Sequence, residues 1–171
     1  MFLRILVLMV TTVLLGCARN GLDFDSVSQS TGAPKNGQAR IAVLLEKGYG
    51  GLFDSGYPVA LDGEAMGELK TGTFLVRDRP AGRHELSVDQ WDFPGGVTRQ
   101  EITVAPGRTY FFLCRRSPRG NAIAVGTLGG LVGIGLTTAL TSGDSNPGPV
   151  EFVPLDDAAG RQAISELRQA P

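Results

Sequence analysis

The chain has 171 residues, 42% of them hydrophobic, with 16 basic against 17 acidic residues and a net charge of −1. That length fits one ordinary domain with appendages and excludes a two-lobed enzyme. The basic residues are scattered singly or in pairs such as Arg115 and Arg116, so no electrostatic footprint for nucleic acid is present.

The N-terminus reads as a targeting segment. Met1-Phe-Leu-Arg4 is a positive n-region, and the 11-residue apolar run from Ile5 to Leu15 is an h-region, too short for a bilayer that takes ~20 helical residues. The run ends in Leu14-Leu15-Gly16-Cys17, which resembles the bacterial lipobox. The resemblance implies cleavage after residue 16 and acylation of Cys17. The alternative is a plain secretory signal followed by an incidental cysteine. Several acyl chains, at ~0.8 kcal/mol per buried CH₂, make a stable anchor. Ala18 follows Cys17, where the retention signal for the inner membrane would have Asp, so the outer membrane facing the periplasm is the expected address. Three regions are therefore expected: a signal peptide over 1–16, a lipidated flexible tether over 17–39 and a domain over 40–171. With Cys17 acylated, Cys114 is the remaining thiol in an oxidising compartment, and it should be buried.

From residue 40 the sequence turns to short β-type runs. RIAVLL at 40–45 is an apolar, compact run after its leading Arg40, and a Gly-rich loop follows over 47–57. Pro58-Val-Ala-Leu61 meets Asp62-Gly63, a strong type I′ hairpin signal, with the return strand at 66–69. Residues 73–76 form a strand ending at the Arg79-Pro80-Ala81-Gly82 turn. His84, Leu86 and Val88 then alternate with Glu85, Ser87 and Asp89, which predicts one buried and one wet face. Ile102 and Val104 repeat that alternation, and TYFFL at 109–113 is apolar on both faces, as a central strand should be. Cys114 falls in phase with Tyr110 and Phe112.

Between residues 121 and 142 lies a Gly-rich hydrophobic insert. Its core, 122–140, carries no charge and contains two GxxxG pairs, Gly126/Gly130 and Gly129/Gly133, which let helices approach closely in lipid. A helical, membrane-associated or self-associating insert on the domain's own side of the membrane is expected, with a loosely packed loop as the alternative. A last strand at 150–153 precedes a short C-terminal helix over about 156–169. The fold class that results is mainly β, an antiparallel β-sandwich of about seven strands with the insert and a terminal helix.

In this order the motifs RIAVLL, PVALDGEAMGEL, TGTF, PAGRHEL, PGRTYFF and VEFV resemble the bacterial lipoprotein family called domain of unknown function 2846. They are similar, too, to PEGA-type surface sandwiches, which display an Asp-Gly hairpin followed by a Pro-Gly-x-His strand. Neither resemblance implies catalytic residues.

Catalytic chemistry finds little to work with in this sequence. No phosphate-cradling loop, paired-cysteine framework or HExxH helix occurs, and one histidine cannot build a metal cluster, so neither metal nor other cofactor is expected. His84 reads as a hydrogen-bonded packing residue, with a hydrolase built on His84 and a neighbouring carboxylate as the remote alternative. Five aromatics, Tyr49, Phe53, Tyr57, Trp91 and Phe93, fall in irregular segments. They either cap the open ends of the sandwich or form a contact surface for cell-wall glycan, peptide or a partner protein. The expected function is a noncatalytic, lipid-anchored envelope sandwich with a structural or interaction role. Its partners would be the membrane and an envelope protein or cell-wall component.

Overall fold

The computed structural model describes residues 21–47, 56–89, 96–118, 120 and 148–171. In chain order they form α1 (Phe24–Thr31), β1 (Gln38–Leu45), β2 (Tyr57–Leu61), β3 (Glu64–Leu69), β4 (Thr73–Pro80) and β5 (Gly82–Val88). These are followed by β6 (Thr98–Val104), β7 (Thr109–Arg116), β8 (Val150–Leu155), α2 (Asp157–Ser165) and β9 (Arg168–Gln169). The protein is mainly β, with two sheets stacked as a sandwich. One sheet has the order β8-β7-β1-β4-β9 and the other β3-β2-β5-β6. About seven strands were expected and nine are present among the described residues. The two-residue β9 is too short to leave an alternation in the sequence.

The second sheet is antiparallel throughout. The first is mixed, because β1 pairs in parallel with β7 and β4 with β9. Chain path explains the β1/β7 pair. After β4 returns antiparallel to β1, the segment at 80–82 is a corner into the other sheet and not a hairpin turn. The antiparallel pair β5 and β6 then delivers the chain back to start β7 at the end where β1 starts.

Burial follows from the layer order. Ile41, Val43, Leu45, Phe112 and Cys114 of the first sheet face Val59, Leu61, Leu86, Val88, Ile102 and Val104 of the second. The opposite face of the first sheet presents Ala42, Leu44, Phe74 and Phe111, and these are covered by Phe24 and Val27 of α1, Ile164 of α2 and Leu167. β1 is therefore buried on both sides, which is why residues 41–45 read as an unbroken apolar run.

Part of the expected tether is structured. Residues 24–31 form α1, capped by Asp23, whose carboxylate accepts the Ser26 N–H at 2.8 Å. Phe24 meets Phe74 and Phe111 edge-on, with ring centroids 5.9 and 5.7 Å away. A stretch with so few large apolar groups docks because this one ring completes an aromatic cluster. Just before α1 the Leu22 carbonyl accepts the Gln169 N–H at 2.7 Å. The C-terminal helix is present but ends at Ser165, where the chain turns to bury Leu167 and add β9 to the sheet. Gly160 lets α2 dock, since a Cβ there would lie 2.3 Å from the Phe111 ring.

Strand registers fix which connections share an end. The pairs Leu45↔Thr73, Leu44↔Leu113 and Arg116↔Val150 define one end of the first sheet, here the upper end. Tyr57↔Leu69 and Val88↔Thr98 lie at the same end of the second sheet, and the Thr98 hydroxyl joins the two by donating to the Val150 carbonyl at 3.1 Å. The connections at 46–56, 70–72, 89–97 and 117–149 all belong to this upper end, as does Leu22 beside Gln169. The lower end holds the Asp62-Gly63 hairpin, the 80–82 corner and the 105–108 turn.

Candidate functional site

The most developed polar cluster of the described residues lies at the lower end and is built on the Asp62-Gly63 turn. Asp62 has φ 55° and Gly63 φ 78°, the two positive values that a type I′ turn requires and that Asp and Gly tolerate. In that geometry the Asp62 carboxylate folds back over β5. Its Oδ1 accepts the Glu85 N–H at 3.0 Å, and Oδ2 lies 2.7 Å from His84 Nδ1. The other ring nitrogen, Nε2, is 2.8 Å from the Pro80 carbonyl. Arg79 adds a longer contact of 3.9 Å to Asp62 and bonds Glu64. Desolvation alone would raise the Asp62 carboxyl, but the Glu85 N–H, His84 and Arg79 outweigh it and hold the group below the usual carboxylate range.

This arrangement ties the β2–β3 hairpin to the β4–β5 corner. His84 is the third residue of β5, in phase with Leu86 and Val88, its side chain is 10% exposed, and both ring nitrogens lie within hydrogen-bond distance of oxygens of the fold. The sequence shows the hairpin and the histidine, but their pairing across 22 positions depends on β2 and β5 lying side by side.

A second polar contact that sequence reasoning missed is Arg40 with Asp78. They are direct cross-strand partners, joined by two parallel bonds of 2.8 and 2.9 Å, with Arg40 only 3% exposed. The charge heads the apolar run 41–45, and the register of β4 against β1 supplies its partner.

Of the five aromatics expected to form a contact surface or to cap the sandwich, one is described. Tyr57 starts β2 and packs in the core between the sheets with 6% exposure. Its burial agrees with the capping alternative for this one residue, and β2 begins one residue earlier than its Pro58 suggested. Tyr49, Phe53, Trp91 and Phe93 lie outside the described residues, as do Cys17 and Gly126, Gly129, Gly130 and Gly133. The stems of the insert are described. The Ser117 hydroxyl donates to the Gly148 carbonyl at 2.7 Å and accepts the Gly120 N–H at 3.0 Å, while the Ser117 N–H donates to the Pro149 carbonyl. One buried serine thus clamps both ends.

Cys114 is a free, fully buried thiol in phase with Phe112, and burial pushes its pKa up to about 12. Among the described residues no group of three or more His, Cys, Asp or Glu is placed to hold a metal ion, and no helix is long and apolar enough to cross a membrane. No family model matches the chain, and no curated protein matches it.

Proposed function

We propose that the protein is a lipid-anchored bacterial envelope protein whose β-sandwich has a noncatalytic, structural or interaction role. The observation that carries this reading is Leu14-Leu15-Gly16-Cys17 at the end of an 11-residue apolar run, the pattern of a segment cleaved before an acylated cysteine. The sandwich, of the kind the family resemblance implies, supports it. So does His84, whose two ring nitrogens are engaged inside the fold and which is the chain's single histidine. Anchored by Cys17, the domain stands on the outer membrane facing the periplasm, where an envelope protein or cell-wall component is its partner. The test is metabolic labelling with a clickable fatty acid. Wild-type protein should take up label and sediment with membranes, and Cys17→Ser should do neither. An unlabelled wild type, beside a known lipoprotein that labels, rejects the reading.

A further inference from the structure

The outer strands of the two sheets are finished in different ways. β8 is closed by side chains of the facing sheet. The Thr98 hydroxyl donates to the Val150 carbonyl, and the Gln100 amide bonds both the carbonyl and the N–H of Phe152, at 2.9 and 3.3 Å. The next outward position of β8 is Pro154, which has no N–H to offer. β6 carries Arg99 and Glu101, and each charge is answered from β5, by Glu85 and Arg83. Covered backbone, proline and paired charges all keep an outer strand from further pairing.

β4 lacks such cover over half of its length. It has eight residues, and β9 pairs with Thr73 and Phe74. β1 takes the odd-numbered residues of β4, because the Ala81 N–H donates to the Gly37 carbonyl one step beyond the Gln38↔Pro80 pair. In an antiparallel ladder such residues alternate with others whose N–H and C=O point the opposite way. Phe74 keeps that phase, since its carbonyl accepts the Ala170 N–H on the far side of β4. Val76 and Asp78 follow in the same phase, and among the described residues no strand lies beside them. Their two N–H groups and two carbonyls face out of the sheet, between β9 and the lower corner at Pro80.

Arg77 sits between these two residues and is partly buried. Its side chain points toward the second sheet, as that of Leu75 does, and donates to the Ala65 carbonyl of β3 at 2.9 Å. Its Nε is buried without a partner. The neighbouring carboxylates are committed elsewhere, Asp78 to Arg40 and Glu64 to Arg79. Arg77 is therefore a partly desolvated cation to which no carboxylate of the described residues answers, a costly state until an anion meets it.

We propose that the Val76–Asp78 stretch of β4 is a strand-addition site for an extended acidic segment of a partner protein. The segment's backbone pairs with Val76 and Asp78 and lengthens the first sheet by one strand. Its residue opposite Arg77 places a side chain on the same face of the sheet, with Cβ atoms about 5 Å apart. Asp or Glu at that position supplies the missing anion. Each requirement selects the occupant separately, the open backbone an extended chain and the unanswered cation an acidic one. The inference gives the interaction role of the sandwich a place and a kind of partner, and it does not depend on acylation of Cys17.

The test uses the mature full-length chain carrying Cys17→Ala, which keeps the anchor out of the assay. Isotope-labelled protein is titrated with a capped octapeptide of alternating Val and Thr around one central Glu, while its amide resonances are followed. The Val76 and Asp78 amides should shift and exchange more slowly with solvent. Lys in place of the central Glu, or N-methylation of the peptide amides that face β4, should each weaken binding at least about tenfold, the effect of one hydrogen bond to a charged group. Arg77→Gln should still bind but no longer separate the Glu from the Lys peptide. Unmoved Val76 and Asp78 amides at millimolar peptide, or equal affinity of wild-type protein for the two peptides, overturns the proposal. Slow exchange of these amides in peptide-free protein that sediments as a dimer also overturns it, in favour of a second copy of the chain.

Discussion

Asp62 and His84 show how a turn residue acquires a structural task beyond its own turn. The carboxylate first satisfies the local geometry of the hairpin and then bonds the Glu85 N–H and His84 of a strand 22 positions on. Replacing His84 by Ala leaves the Pro80 carbonyl and one Asp62 oxygen without this partner and should cost about 1–2 kcal/mol in urea unfolding. The pH dependence has a definite sign. The folded carboxyl lies below its ordinary value of 3.8, so the stabilisation is complete above the unfolded value and is lost as pH falls through the folded one. Wild-type protein should therefore lose stability below about pH 4. Asp62→Asn should start less stable at neutral pH and lose less across that acid window, as urea midpoints along a pH series will show.

Cys114 gives the opposite sign at the alkaline side. Its thiol is lifted from 9.0 to about 12, so the folded state keeps a proton that the unfolded state releases, and stability should fall as pH rises above 9.0. Native protein should resist a maleimide that reacts once it is unfolded. Rapid labelling of the native state would mean that the strand phase places the thiol outward. This burial was legible beforehand, because alternation with Phe112 in a two-sided apolar strand leaves the thiol few other places to point. The salt bridge of Arg40 with Asp78 was not legible, since nothing local announces a partner 38 positions away.

At the scale of elements, alternation reveals strands well and helix docking poorly. The sandwich strands declare themselves by period-two burial and by Gly and Pro at the turns. α1 declares itself by almost nothing, since two buried side chains, Phe24 and Val27, hold eight residues against the sheet. The clue lay elsewhere: residues 41–45 and TYFFL are apolar on both faces, so the first sheet required a second cover, and one terminal helix is too small to supply it. Phe24→Ala should therefore destabilise the protein by about 3 kcal/mol, as a core truncation does. A true tether residue would change nothing measurable. Gly160 tests the partner helix. Any Cβ at this position meets the Phe111 ring, so Gly160→Ala should cost roughly 1–3 kcal/mol despite the better helix propensity of Ala. Thermal melts of the two variants will separate docking from propensity, because propensity alone predicts a higher Tm for Gly160→Ala.

For the whole molecule, the insert poses the question of whether the sandwich depends on it. The β7–β8 ladder runs unbroken from Phe111↔Leu155 to Arg116↔Val150, and the Ser117 hydroxyl then bonds both Gly120 and Gly148. Both stems of residues 121–147 are thus fixed at one point by bonds that the rest of the fold supplies. A single pass through a bilayer would carry those stems to opposite sides, about 30 Å apart, so the clamp is compatible only with an excursion that leaves and returns on one side. If the excursion contributes nothing to the sandwich, it acts on stability as a long loop whose closure costs entropy. Joining Gly120 to Gly148 through a linker of about three residues should then raise stability by about 2 kcal/mol, the closure difference for a loop roughly nine times shorter. The measurement is a urea midpoint for the Cys17→Ala protein with and without 121–147. A lower midpoint in the shortened form would show that the insert packs on the sandwich, and an unchanged slope with a higher midpoint would show that its apolar residues serve something other than the fold.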